Sequence, residues 1–164
     1  MGADIHTYIE RKMKSGNWAF VADLNNIVRS KALWSSNMNS FGNAFYTVNS
    51  RNYTLFAQLA SVRGGGREPR GLPDDVSEMV EMFAQSWEGD AHSHSWLSAV
   101  DFADDYYGVQ SIEDEEPMTE YHQNMLEVDK NYAVLQFLEE MCGVSMVDSG
   151  CHSNEFRFVF WFDN

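Results

Sequence analysis

The sequence predicts an α+β fold, in which an N-terminal hairpin and the C-terminal strand form a small antiparallel sheet covered by about four helices. Apolar and polar residues alternate in residues 3–12, 18–21 and 156–162, which is the period of a half-buried strand. The residues between them contain four stretches with apolar side chains at helical spacing. At 164 residues the chain is long enough for a substantial core, so we expect a single domain, 1–164.

The strongest strand signal lies at the C-terminal end. Aromatic residues occupy every second position there, and therefore line one face of the strand: Phe156, Phe158, Phe160 and Phe162. Arg157, Val159 and Trp161 line the other face. We expect this strand to pair with residues 3–12, and the helices to cover its phenylalanine face.

Four helices are predicted from apolar periodicity and from residues that favour helix ends. They are a helix from Ser50 or Asn52 to Val62, one from Pro73 to Trp87, one from Ser93 or Ser95 to Gly108, and one from Thr119 to Cys142. Residues 25–50 are interpreted as an irregular loop or a short helix, and residues 113–117 as an acidic linker.

Charge is divided unevenly along the chain. The formal net charge is −14. Residues 1–70 nevertheless hold nine Lys and Arg against four acids, whereas residues 71–156 hold twenty acids and the single base Lys130. An acidic half repels duplex nucleic acid and anionic lipid, so neither is an expected partner. This charge pattern still allows a small anion to bind in a local basic pocket.

The sequence also favours a cytoplasmic location. The first residues lack the layout of a signal peptide, and no apolar run approaches the length of a membrane span. Cys142 and Cys151 are nine positions apart, and we expect both to be reduced.

The most informative segment concentrates arginine and glycine. Arg51, Arg63, Arg67 and Arg70 fall within twenty residues, and three of them flank the triple glycine 64–66. Glycine lets a backbone approach a ligand closely, and arginine binds phosphate through two parallel hydrogen bonds. The alternative interpretation is a surface loop whose arginines pair with the acidic half of the chain.

Several segments resemble an uncharacterised family of bacteriophage and prophage proteins. The matching segments are the opening MGADIH, the block RNYTLFAQLASVRG, the following GLPDDVS, the segment HSHSWL and the closing FRFVFWFDN. The resemblance implies a phage origin, and hence the cytoplasm of an infected bacterium, but it implies no activity.

Histidines supply a second candidate site. Asp4 and His6 are two apart on a predicted strand and share a face, and His92 and His94 have the same spacing. Together these four residues could bind a divalent metal, although no metal is favoured as a cofactor. Without a metal, His92 and His94 could donate hydrogen bonds to a ligand phosphate.

We therefore predict a phage protein that binds and sequesters a nucleotide-derived host immune signal, such as a cyclic oligonucleotide or an ADP-ribose derivative. The four arginines would hold phosphates, Tyr53 and Trp96 would stack on a base, and His92 or His94 would donate hydrogen bonds. A homo-oligomer is expected, because one small domain offers only a shallow pocket. The alternatives are a metal-dependent phosphodiesterase that cleaves such a nucleotide, and an acidic interaction protein that blocks a host nucleic-acid-binding protein.

Overall fold

The computed structural model describes residues 2–25, 28–29, 51–113, 129–142 and 150–164. Five strands form one antiparallel sheet in the order β3-β2-β1-β5-β4. They are β1 (Asp4–Lys12), β2 (Trp18–Asp23), β3 (Val28–Arg29), β4 (His92–Ser98) and β5 (Phe156–Asp163). The predicted α+β class and the predicted pairing of the two ends of the chain are both confirmed, since β1 pairs with β5 from Asp4↔Asp163 to Arg11↔Phe156.

In the described residues, four α-helices cover the sheet. They are α1 (Tyr53–Ala60), α2 (Glu78–Gln85), α3 (Ala99–Glu113) and α4 (Lys130–Cys142), and a 3-10 turn (Ser153–Glu155) precedes β5. Within the described residues, no helix is both long and apolar enough to cross a membrane. Most of the predicted 25–50 loop, most of the acidic linker and the first part of the predicted 119–142 helix lie outside the described residues.

The two faces of the sheet differ in chemistry. One face is the predicted phenylalanine face, where the side chains of β5 are buried against α1, α3 and α4; for example, Phe102 of α3 stacks on Phe158 with ring centroids 4.0 Å apart. The opposite face carries Tyr8, Val159 and Trp161 and is covered by α2 through Val80 and Ala84. We call these the phenylalanine face and the mixed face.

The prediction that a helix begins at Ser93 or Ser95 was wrong. Residues 92–98 form the edge strand β4, in which Ser95 and Leu97 are buried. Hydrogen bonding to β5 outweighs the local preference of serine for a helix N-terminus. The helix begins only at Ala99, where the Oγ atom of Ser98 accepts a hydrogen bond from the backbone N–H of Asp101 at 3.1 Å.

Helix α2 also begins later than predicted, at Glu78 rather than Pro73. An ion pair involves the intervening residues: the buried Arg157 donates to the exposed Asp75 side chain at 2.7 Å and to its backbone oxygen at 3.1 Å. The backbone N–H of Ser77 donates to Glu10 at 2.7 Å. These bonds, together with a turn in which the Val76 N–H donates to the Pro73 carbonyl at 3.1 Å, occupy the residues before Glu78, so the helix starts after them with Ser77 as its N-cap.

Candidate functional site

Two of the four predicted phosphate-binding arginines are held by carboxylates of the chain itself. Arg51 donates from Nε and Nη2 to the two carboxylate oxygens of Asp4, at 2.7 and 2.9 Å. Arg67 donates in the same bidentate way to Asp105, at 2.7 and 3.2 Å. Asp105 is only 7% exposed, and its hydrogen bonds raise the pKa of Arg67. Each of these guanidinium groups therefore already makes to a carboxylate the two parallel hydrogen bonds that it would make to a phosphate.

The other two arginines lie over aromatic rings. The guanidinium of Arg63 lies 5.2 Å from the centre of the Tyr53 ring, and that of Arg70 lies 5.0 Å from the centre of the Trp96 ring. Tyr53 and Trp96, both predicted to stack on a base, are thus cation–π partners within the chain. The described contacts do not gather the four arginines around one ligand-sized space.

The triple glycine folds back onto α1. The N–H of Gly66 donates to the Ser61 hydroxyl at 3.1 Å, and the N–H of Arg67 donates to the Gln58 carbonyl at 3.2 Å. A side chain at Gly66 would overlap the Ala57 carbonyl oxygen. Close packing against the helix therefore explains why a glycine occupies this position, and the explanation does not require a bound phosphate.

An irregularity in β4 separates the two predicted histidine donors. The pairing with β5 shifts between His92 and Ser95. His92 stacks on Phe162 and His94 lies against Trp161. Since Phe162 and Trp161 project from opposite faces of β5, the two histidines lie on opposite sides of the sheet. Burial, and secondly the nearby His92, lower the pKa of His94, which favours its neutral form.

A cleft of about 520 Å³ opens where the C-terminal end of α2 meets the ends of β1 and β2. It is lined by His6, Tyr8, Asp23, Asn25, Phe83, Ser86 and Trp87. Phe83 stacks on Tyr8 with centroids 5.1 Å apart, and Trp87 lies over His6 at 4.0 Å. Aromatic rings thus form one side of the cleft, and polar side chains from the strands form the other.

A hydrogen-bond network fixes the polar side of this cleft. The Oδ1 atom of Asn25 accepts the backbone N–H of Thr7, and its Nδ2 donates to the Ile5 carbonyl, both at 2.9 Å. These two bonds fix the orientation of the amide. The same Nδ2 lies 3.3 Å from Nδ1 of His6, so Nδ1 is the acceptor and Nε2 carries the proton. Nε2 then donates to Asp163 at 3.1 Å.

The network continues from Asp163 to the surface. The backbone N–H of Asp4 donates to the second oxygen of Asp163 at 3.3 Å, and the Asp4 side chain holds Arg51. The Arg51 guanidinium lowers the pKa of Asp4. It also packs against Gly2, where an added Cβ would lie 2.8 Å from the guanidinium carbon. The opening segment MGADIH therefore connects Arg51 to the cleft. Gly2 leaves room for the guanidinium, Asp4 binds it, and His6 lines the cleft.

This arrangement is better suited to binding than to proton transfer or metal binding. Both ring nitrogens of His6 are hydrogen-bonded within the protein, and Arg51 occupies both oxygens of Asp4. Across the described part of the chain, no three histidine, cysteine or acidic residues are grouped so as to hold a metal ion. Burial and the nearby Asp23 raise the pKa of Tyr8, which keeps its phenol protonated at neutral pH.

Of the residues that line the cleft, sequence reasoning named only His6 as a site residue, and it also missed Asp163, which holds His6 from outside the lining. Asp163 and Asn25 hold His6, Asp23 is a 2% exposed carboxylate, and Trp87 follows the end of α2. Trp87 was predicted only as the last residue of a helix. Position 163 pairs across the strands with position 4, and that pairing, which was expected from the sequence, is the one signal that could have placed a second acid beside His6.

Comparisons with protein-family models, with curated proteins and with solved structures found no match.

Proposed function

We propose that the protein binds a small ligand through an aromatic heterocycle that enters the cleft beside Trp87. One observation carries this proposal: a partly exposed tryptophan faces polar side chains that a continuous hydrogen-bond network holds in place. Sites for small molecules are typically concave and aromatic, with a few fixed polar groups that set orientation. A polar side that is already ordered loses little side-chain entropy on binding.

The composition of the cleft indicates which part of a ligand it would hold. Its polar groups include the Asp23 carboxylate and the Asn25 amide, but no arginine or lysine. A phosphate inside the cleft would be repelled by the Asp23 carboxylate, and no arginine or lysine of the lining would offset that repulsion. A ring with N–H donors suits the cleft better, because a carboxylate can accept from such an edge. A nucleotide would therefore enter with its base and leave its phosphates outside.

The narrower proposal is that the ligand is a nucleotide-derived host immune signal. It follows from the arginine-rich segment and from the resemblance to phage proteins. Arg63 and Arg70, which are exposed, are then the candidates for contacts with phosphates beyond the cleft.

Isothermal titration calorimetry tests both levels of the proposal. The panel contains mononucleotides, cyclic oligonucleotides and ADP-ribose derivatives, each in metal-free and metal-containing buffer. We expect at least one compound to bind, and we expect Trp87→Ala to weaken binding by about tenfold or more, because stacking on an aromatic ring contributes roughly 1–3 kcal/mol.

Tyr132→Ala is the matched control, because Tyr132 is exposed and does not line the cleft. This variant should retain the affinity, whereas Arg70→Ala should weaken binding of phosphorylated compounds less than Trp87→Ala does. Binding that is lost in Arg70→Ala but kept in Trp87→Ala would move the site to the glycine segment. Failure of the whole panel to bind would overturn the proposed function, and conversion of a bound nucleotide to products would favour the phosphodiesterase.

A further inference from the structure

A second opening lies at the other end of α2. This groove has a volume of about 610 Å³ and shares no lining residue with the Trp87 cleft. It is lined by Asn17, Trp18, Phe20, Asp75, Val76, Ser77, Glu78, Met79 and Met82. We call it the methionine groove.

Two large apolar side chains of the methionine groove are exposed to solvent. Met79 is 45% exposed and Met82 is 64% exposed. They project from α2, whose buried residues Val80 and Ala84 already pack against the mixed face. The two methionines are therefore not needed for that packing. Methionine is flexible and polarizable, and it is common on surfaces that accept apolar side chains of a partner.

The surroundings of the groove are acidic. Glu78 and Glu81 are exposed on the same helix as the methionines, and Asp74 is exposed just before it. From residue 71 to residue 129 the chain contains no lysine or arginine. Lys12 does not line the groove, but its ammonium lies 5.9 Å from the centre of the Trp18 ring. The helix side of the groove therefore carries net negative charge next to exposed apolar surface.

We propose that the methionine groove docks a basic amphipathic segment of another protein. Apolar side chains of that segment would contact Met79 and Met82, while its lysines or arginines would face Glu78 and Glu81. A second copy of this chain fits poorly, because a two-fold contact through this surface would bring the same glutamates of both copies together. The proposal goes beyond ligand binding in the Trp87 cleft and does not depend on it.

Methyl NMR of the full chain with ¹³C-methyl-labelled methionine tests the proposal. The probe is an amphipathic peptide of leucine and lysine, and the matched control is the same peptide with glutamate in place of lysine. Resonances of Met79 and Met82, assigned through single Met→Leu variants, should shift and saturate with the lysine peptide only. Binding should weaken as salt is added.

Two variants locate the contact. Met82→Gln should weaken binding of the lysine peptide by about fivefold or more. Tyr132→Gln removes a 43% exposed aromatic from α4 and should leave the affinity unchanged. The proposal is overturned if neither methyl responds, if both peptides produce the same shifts, or if the shifts depend on protein concentration without peptide, which would indicate self-association.

Discussion

The two faces of the sheet use the same strand, β5, in opposite ways. On the phenylalanine face, alternate aromatic side chains of β5 are fully buried against three helices. On the mixed face, the intervening residues of β5 include Arg157 and Trp161, and among the helices of the described residues the short helix α2 alone packs on this face. The Trp87 cleft and the methionine groove both lie on the mixed face.

The difference shows how stability and binding are divided in this protein. A face covered by three helices gains free energy from apolar burial, but leaves little room for a ligand. A face covered by one eight-residue helix leaves openings at both ends of that helix. It depends instead on specific polar contacts, such as the buried ion pair between Arg157 and Glu10 at 2.6 Å.

The largest expected effect comes from the phenylalanine face. Phe158→Ala removes a fully buried ring that contacts Phe102 and Phe137. We expect a loss of about 3–5 kcal/mol in the free energy of unfolding, because a cavity remains where the ring was. Urea denaturation measures the loss. A cost below about 1 kcal/mol would contradict the assignment of the core to this face.

Removal of one partner of the buried ion pair should rank second. Arg157→Met leaves Glu10, which is 0% exposed, without its cationic partner. We expect a loss of about 3 kcal/mol. The double variant Arg157→Met with Glu10→Leu should recover much of that loss, because it leaves no buried charge unpaired. If the losses in the free energy of unfolding caused by the two single substitutions simply added in the double variant, the ion pair would not be the feature that stabilises the mixed face.

Helix caps on the two faces offer a smaller and matched comparison. Asn52 accepts the Leu55 N–H at 2.9 Å at the start of α1, whereas Ser77 accepts the Val80 N–H at 3.5 Å at the start of α2. Asn52→Ala should therefore cost about 1 kcal/mol in thermal or urea unfolding. Ser77→Ala should cost less, because its hydrogen bond is longer. The reverse order would show that α2 depends on its cap more than the geometry indicates.

The smallest expected effect is a pH dependence specific to the mixed face. The pKa of His94 is lowered below its ordinary value of 6.5, chiefly by burial. As pH falls through 6.5, the unfolded chain takes up a proton before the folded chain does, so stability decreases. Between pH 7 and 5, His94→Gln should flatten the decrease in unfolding midpoint. An unchanged slope would contradict the inferred burial.

A carboxylate on the same face, that of Asp75, responds in a different pH range from His94. Arg157 lowers the pKa of Asp75 below its ordinary value of 3.8. The stability that this pair contributes is present above that value and is lost only as pH falls below it. The His94 and Asp75 contributions are therefore separable in one pH titration of the unfolding midpoint.

Sequence periodicity was sufficient for the elements with a single dominant pattern. The alternating phenylalanines predicted β5 and its buried face, and apolar periodicity predicted a helix where α1 lies, because burial follows the period of the backbone. The segment His92 to Ser98 was misassigned, since its serines resemble helix caps and its pairing with β5 is a non-local contact.

The candidate sites illustrate the same limit. Composition alone identified Arg51, Asp4 and His6 as chemically unusual residues. It could not show that Arg51 binds Asp4 or that Arg67 binds Asp105, because those contacts join residues 47 and 38 positions apart. It also gave no reason to group Trp87 with Asn25, which approach each other only when α2 packs across β1 and β2.

The sequence by itself determined the α+β class, the pairing of the two chain ends, the apolar face of β5 and the concentration of acids after residue 70. Each of these depends on local periodicity or on composition. The tertiary structure decided which charges neutralise one another, which face stays open, and where ligand-sized spaces lie. Those outcomes depend on distances between residues far apart in the chain, and such distances are fixed only when the helices pack on the sheet.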